Sequence, residues 1–204
     1  MATYTSQPDD TTGIDTHIDS ASPTSNSGAD VYLATGGTQR SLLKFDFSSI
    51  GFVSYVNSAT LTLTVGQASG ATLQSALNVY RQKRAWVEGQ ATWNIYATGS
   101  NWQTAGGFGT NDCEQTSIGS VTPATNPSAG TAYNISLDTT AIKDMINGAF
   151  TNNGFLLKKA SETNDRIIWA SSGNTTTSYR PKLVIEYVLP SGVTAVFLSD
   201  YGVM

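Results

Sequence analysis

Apolar and polar residues alternate along most of this chain with a period of two. In SATLTLTVG (58–66), Leu61, Leu63 and Val65 fall on one side and Thr60, Thr62 and Thr64 on the other. That is the pattern of a half-buried strand with a threonine-lined outer face. RSLLKFDFSSI (40–50) sets Leu43, Phe45 and Phe47 against Lys44 and Asp46. Segments 76–82, 132–138, 154–160, 166–172 and 181–188 repeat the pattern, and 14–20 and 30–35 carry a weaker form of it. Turn signals separate them: SNSG (25–28), ATGG (34–37), TAGGFG (104–109) and SSGN (171–174). Many short strands with frequent turns predict an all-β, jelly-roll-like antiparallel sandwich.

Two stretches depart from alternation. DTTAIKDMINGAF (138–150) places Ile142, Met145 and Ile146 at i, i+3 and i+4. With Asp138 or Thr139 as cap and Gly148 as stop, it predicts one short α-helix over about 139–147, lying across an open edge or end of the sandwich. Segment 98–131, rich in Gly, Thr, Ser and Asn, reads as loop with at most one short strand. The chain thus divides into an N-terminal arm (1–13), one sandwich module (14–188) and an apolar C-terminal extension (189–204). In that extension Val193, Val196, Phe197, Leu198 and Tyr201 either form one more packed strand or dock on a partner's sheet or groove.

Composition narrows the function classes. Charged residues are 13 % of the 204 and the net charge is −4. The basic cluster RQKR (81–84) is no stripe of the kind that binds nucleic acid. No segment has the length of a membrane span, and the N-terminus lacks the basic and apolar regions of a signal peptide. A lone Cys113 excludes an intrachain disulfide and reads as a free thiol in a polar loop. A lone His17 excludes histidine-rich zinc sites and reads as a surface or packing residue. There is no nucleophile elbow, metal-hydrolase motif or phosphate loop, and the expectation is a protein without catalytic residues.

In order, IDTHI (14–18), RSLLKFDFSSI (40–50), SATLTLTV (58–65), VYR (79–81), WVEGQATWN (86–94), Trp102 with AGG (105–107), NGFLLK (153–158) and RPKLVIEY (180–187) form a series. This series resembles the DNRLRE-type β-sandwich modules, related to disaggregatase repeats and to carbohydrate-binding modules. The W-x-E-G-x-x-T-W stretch, with Trp86, Glu88, Gly89, Thr92 and Trp93, is the most recognisable part. The resemblance implies a jelly-roll-like sandwich and, for some members, binding of acidic or neutral polysaccharide; it does not imply catalysis. Such modules usually ride on larger secreted proteins. A lone module without a signal suggests a structural, decoration or attachment component of a virion (phage-like) or extracellular surface, assembled symmetrically with other subunits. The alternative is a carbohydrate-binding module accessory to a polysaccharide-degrading enzyme.

Within this frame Trp86 and Trp93 read as core aromatics. Trp102, in a Gly-rich loop, is the candidate sugar-stacking platform, with Tyr96, Tyr179 and Asn174 as further candidates for a glycan surface. Glu88 reads as a carboxylate fixed by basic neighbours among Arg84, Arg81, Lys83, Arg40 and Lys44. Asp15, Asp19, Asp30, Asp46 and Asp165, near strand ends, are the candidate ligands of a structural calcium.

Overall fold

A computed structural model describes residues 1–69, 75–163 and 165–191. Among these, thirteen strands form: β1 (Ala2–Ser6), β2 (Ile14–Asp19), β3 (Tyr32–Gly36), β4 (Gln39–Lys44), β5 (Tyr55–Gln67), β6 (Leu77–Arg81), β7 (Ile95–Ala97), β8 (Ser100–Asn101), β9 (Gly119–Val121), β10 (Ala132–Ser136), β11 (Phe155–Lys159), β12 (Arg166–Ala170) and β13 (Lys182–Val188). One α-helix, α1 (Thr139–Ile146), and a single 3-10 turn (Thr177–Tyr179) complete the set. All the strand pairs are antiparallel.

Eleven strands belong to one sheet, running β1-β13-β5-β12-β3-β4-β11-β6-β9, with β10 also on β5 and β2 also on β4; β7 and β8 pair separately. The long strand β5 lets the sheet curl. Residues 55–64 pair with β13 and β10, while Val65 and Gln67 pair with β12. The two halves close over one core, in which Leu61, Leu63, Ile135, Leu183 and Ile185 meet Leu43, Val79, Phe155, Leu157, Ile167 and Trp169. The period-two pattern points Leu61, Leu63 and Val65 inward, all at 0 % exposure, whereas Thr64, expected on the outer face, is buried at 4 % where β10 pairs over it.

Helix α1 forms where its spacing predicts. The Asp138 side chain accepts from Ala141 N–H at 2.7 Å, capping the free amides of the first turn, and Gly148 follows at φ +78°. Ala141, Ile142 and Met145 go into the core beside β5. β1 lies within the stretch read as an arm, where it pairs with β13 from Ala2↔Tyr187 to Ser6↔Leu183. Val193, Val196, Phe197, Leu198 and Tyr201 fall outside the described residues. Among the described residues no helix is long and apolar enough to cross a membrane.

Candidate functional site

A second, smaller core explains the tryptophan-rich stretch. On β2, β4, β6 and β11 the residues Ile18, Leu42, Tyr80 and Leu156 form an apolar surface separate from the main core. Segment 84–115 covers it with Ala91, Trp102 and Cys113, and Trp86, Trp93, Tyr96 and Phe108 pack around them. Trp102 does not provide the open stacking platform expected of it: it is 4 % exposed, its indole N–H donates to Thr92 O at 2.9 Å, and Tyr96 lies 5.5 Å away. The Gly-rich loop, instead of displaying this ring, folds over it.

Trp86 and Trp93 are the half-buried members. Trp86 donates its N–H to Asn153 O at 2.9 Å. Arg40 lies over the Trp93 ring at 4.7 Å, grips Glu162 through Nε and Nη2 at 2.8 Å each, and donates to Gly106 O at 2.8 Å. This bidentate, ring-stacked arginine locks the loop to β4. Gly106, at φ +86°, must be glycine, because a Cβ there would come 2.5 Å from Arg40 Nη1 and 2.7 Å from the Trp93 ring. Thr92 Oγ1 accepts from Asn94 N–H and Ile95 N–H. Gly89 faces open space, and the close approach occurs instead at Gly28, whose Cβ would meet Glu88 backbone at 2.6 Å.

Glu88 is not held by basic residues as expected. Its Oε1 accepts the backbone N–H of Asp15 at 2.8 Å, while Arg84 turns to Asp112 (3.7 Å) and Arg81 to Glu114 (2.9 Å). Burial raises the Glu88 pKa, with Asp10 adding to the rise against the Asp15 hydrogen bond. Asp15, 5 % exposed, accepts from Ser172 N–H at 2.7 Å, and burial pushes its pKa to about 7, helped by Glu88 and Asp10. Cys113 is likewise buried, at 0 % exposure, and burial pushes its thiol up to about 12.

Of the other expected ligand residues, Asn174 is a scaffold residue rather than a surface contact. At 5 % exposure it donates to Val31 O (3.1 Å) and accepts from Thr176 N–H (3.0 Å). Tyr179 is half-buried in the 3-10 turn, with its hydroxyl next to Gly130. Tyr96 is half-buried, with Arg84 over its ring at 5.1 Å. The fold does not gather Trp102, Tyr96, Tyr179 and Asn174 on one ligand surface. Among the described residues no group of three or more His, Cys, Asp or Glu side chains is placed to hold a metal.

A concave surface lies elsewhere, where β3 parts from β2 while both stay beside β4. A depression of about 230 Å³ is lined by His17 of β2, Tyr32, Leu33 and Ala34 of β3, Gln39 of β4, Gln67 of β5, Arg166 and Ile168 of β12, and by Asp30 and Val31. A second depression of about 360 Å³ shares Gln39 and Arg166 with it and adds Gly36, Gly37, Thr38, Ser69 and Asp165. The two adjoin at Gln39 and Arg166 and together make a groove drawn from five strands. Its first half is apolar-floored, by Ile168 and Ala34 with the Tyr32 ring, and its second half is polar.

Hydrogen bonds order the polar side. Arg166 Nη1 donates to Gln39 Oε1 at 3.1 Å, and Gln39 Nε2 donates to Asp19 Oδ2 at 3.0 Å. For Asp19, burial opposes ionisation but is outweighed by bonds from Thr38, Ala21 and Gln39, so its pKa is lowered. His17 Nδ1 is buried without a hydrogen-bond partner, 3.9 Å from Asp30 Oδ2. Burial lowers the His17 pKa despite Asp30 and a hydrogen bond with the Tyr32 backbone, and so favours the neutral ring. Ser69 Oγ is a second buried, unpartnered polar atom, in the neighbouring depression. Tyr32 owes its position to Gly66, where a Cβ would lie 2.7 Å from the ring and 2.8 Å from Ala170 N.

His17, Asp19, Asp30 and Asp165 stand out in the sequence for other roles, whereas Tyr32, Gln39, Gln67 and Arg166 carry no local signal. Each is an ordinary residue of an alternating strand, and only the order of strands in the sheet brings them together.

The fold is an all-β antiparallel sandwich with a curled sheet. The chain belongs to the disaggregatase-related repeat family: the model of the disaggregatase related repeat domain matches residues 15–185, β2 through β13. Among curated proteins none matches the chain.

Proposed function

We propose that this chain is a non-catalytic recognition module that binds polysaccharide in the five-strand groove. The observation that carries this reading is the pairing of an apolar, tyrosine-bearing floor with amide, carboxylate, imidazole and guanidinium groups in one open cleft. Sugars present apolar C–H faces beside hydroxyls, and such a cleft meets both. Glycoside hydrolysis would need a carboxylic acid kept protonated beside the scissile bond. The carboxyls that burial favours in that form, Asp15 and Glu88, do not line the groove and are tied to the backbone N–H groups of Ser172 and Asp15. Affinity electrophoresis tests the reading. Soluble polysaccharide in the gel should retard the protein, and Tyr32→Ala with Gln39→Ala should abolish retardation without release of reducing ends in either protein. Retardation that survives both substitutions would place the site elsewhere.

A second reading is favoured by one end of the sheet. Tyr55 (58 % exposed) pairs with Val188, beside Leu189 (51 %), and Phe52 (66 %) lies three residues earlier. Met1 (88 %) sits at the start of the neighbouring strand. Exposed apolar groups concentrated at one edge are typical of docking surfaces. We propose that this end meets other protein subunits, as in a symmetric assembly on a virion or extracellular surface. Light scattering should then give a mass above the monomer that Phe52→Ser with Tyr55→Ser returns to it. A monomer at all concentrations would end this reading.

A further inference from the structure

The groove's charges indicate which sugars it suits, an inference that rests on the groove being the glycan-binding surface. We propose that its ligand is an uncharged polysaccharide held through its hydroxyls, in preference to a polyuronate or a sulfated glycan. Arg166, the guanidinium of the lining, already spends one N–H on Gln39 Oε1, and Gln39 in turn donates to Asp19 Oδ2. Lys159 is 1 % exposed and lies 3.6 Å from Asp165 Oδ2, so its charge is balanced beneath the surface. Asp30, with its side chain 55 % exposed, faces the His17 ring, whose burial favours the neutral form. Among the lining residues two carboxylates, Asp30 and Asp165, thus stand against one cation, Arg166, leaving the groove negative in a chain of net charge −4. An incoming carboxylate or sulfate meets like charge there, which is a strong penalty in any interface.

Uncharged sugars meet the opposite situation, because each hydroxyl both donates and accepts. A hydroxyl can donate to Asp30 and accept from Arg166. The Tyr32 ring, pressed onto the Gly66 backbone, and Ile168 offer the flat apolar surface that the sugar's C–H groups need.

The test titrates the full 204-residue chain with a panel of polymers by calorimetry and affinity electrophoresis. Mixed-linkage glucan, xylan and galactomannan represent the uncharged class, and polygalacturonate, alginate and heparin the anionic class, each at low and high salt. At least one uncharged polymer should bind with an affinity insensitive to salt. Asp30→Ala and Asp30→Asn should each weaken it by about tenfold, the loss of one hydrogen bond to a charged group, with the thermal midpoint unchanged. If an anionic polymer binds more tightly than every uncharged one, weakens with salt and is lost in Arg166→Ala, the ligand class is overturned while the groove reading stands. If nothing on the panel binds, or binding ignores both Asp30 and Arg166 substitutions, the groove reading itself falls.

Discussion

Asp15 keeps a carboxyl at 5 % exposure between Ser172, Glu88 and Asp10, with a pKa raised from 3.8 to about 7. The folded chain therefore holds this proton more tightly than the unfolded chain does. The resulting stabilisation is full below about pH 4 and is lost as the pH climbs through 7, a span worth about 4 kcal/mol at most. Glu88, also raised, acts in the same direction. Urea unfolding at a series of pH values should show the wild type losing stability relative to Asp15→Asn between pH 4 and 7. Parallel curves for the two proteins would refute the assignment. At Cys113 the same physics gives an unreactive thiol, which should resist iodoacetamide when folded and react at once in denaturant. Trp102→Ala should cost about 3–5 kcal/mol of stability, since the ring fills the second core and its N–H loses Thr92 O. Here the sequence misleads for a physical reason. Local composition marks a Gly-rich loop around Trp102 as exposed, but glycine also lets a loop lie flat on a ring, as Gly106 and Gly107 do beside Trp93 and Trp102.

Period-two alternation predicts the principal strands because each buries one face against the main core. The i, i+3, i+4 spacing of Ile142, Met145 and Ile146 predicts the helix, because these positions and the Asp138 cap are local features. Elements with little burial are harder to read. β1 alternates only between half-buried and exposed residues, and β7, β8 and β9 are two or three residues long, too short to show a period. β11 has Phe155, Leu156 and Leu157 buried in succession, because the main core takes one face and the second core the other. At this scale glycine positions are decisive. Gly66→Ala should cost about 1–3 kcal/mol and weaken glycan binding, because its methyl would meet Tyr32 and the β12 backbone. Gly89→Ala, in open space within the signature stretch, should stay within about 0.5 kcal/mol of the wild type. Equal effects from the two in thermal melts would contradict this geometry.

For the whole molecule, strand order does what no segment can. It sets β2, β3 and β12 around a cleft whose residues lie up to 151 positions apart, from His17 to Ile168. The WVEGQATWN stretch specifies the covering of the second core, and the groove is formed elsewhere by strands of ordinary appearance. Resemblance to a family could therefore give the sandwich from sequence, whereas the site required the register of five strands. Amide chemical-shift mapping during titration with a retarded polysaccharide's oligosaccharides tests the central claim most directly. The account predicts shifts concentrated at Tyr32, Gln39, Gln67, Arg166 and Ile168, with little change at Trp86, Trp93 and Trp102. Shifts centred on those tryptophans, with the groove silent, would contradict it.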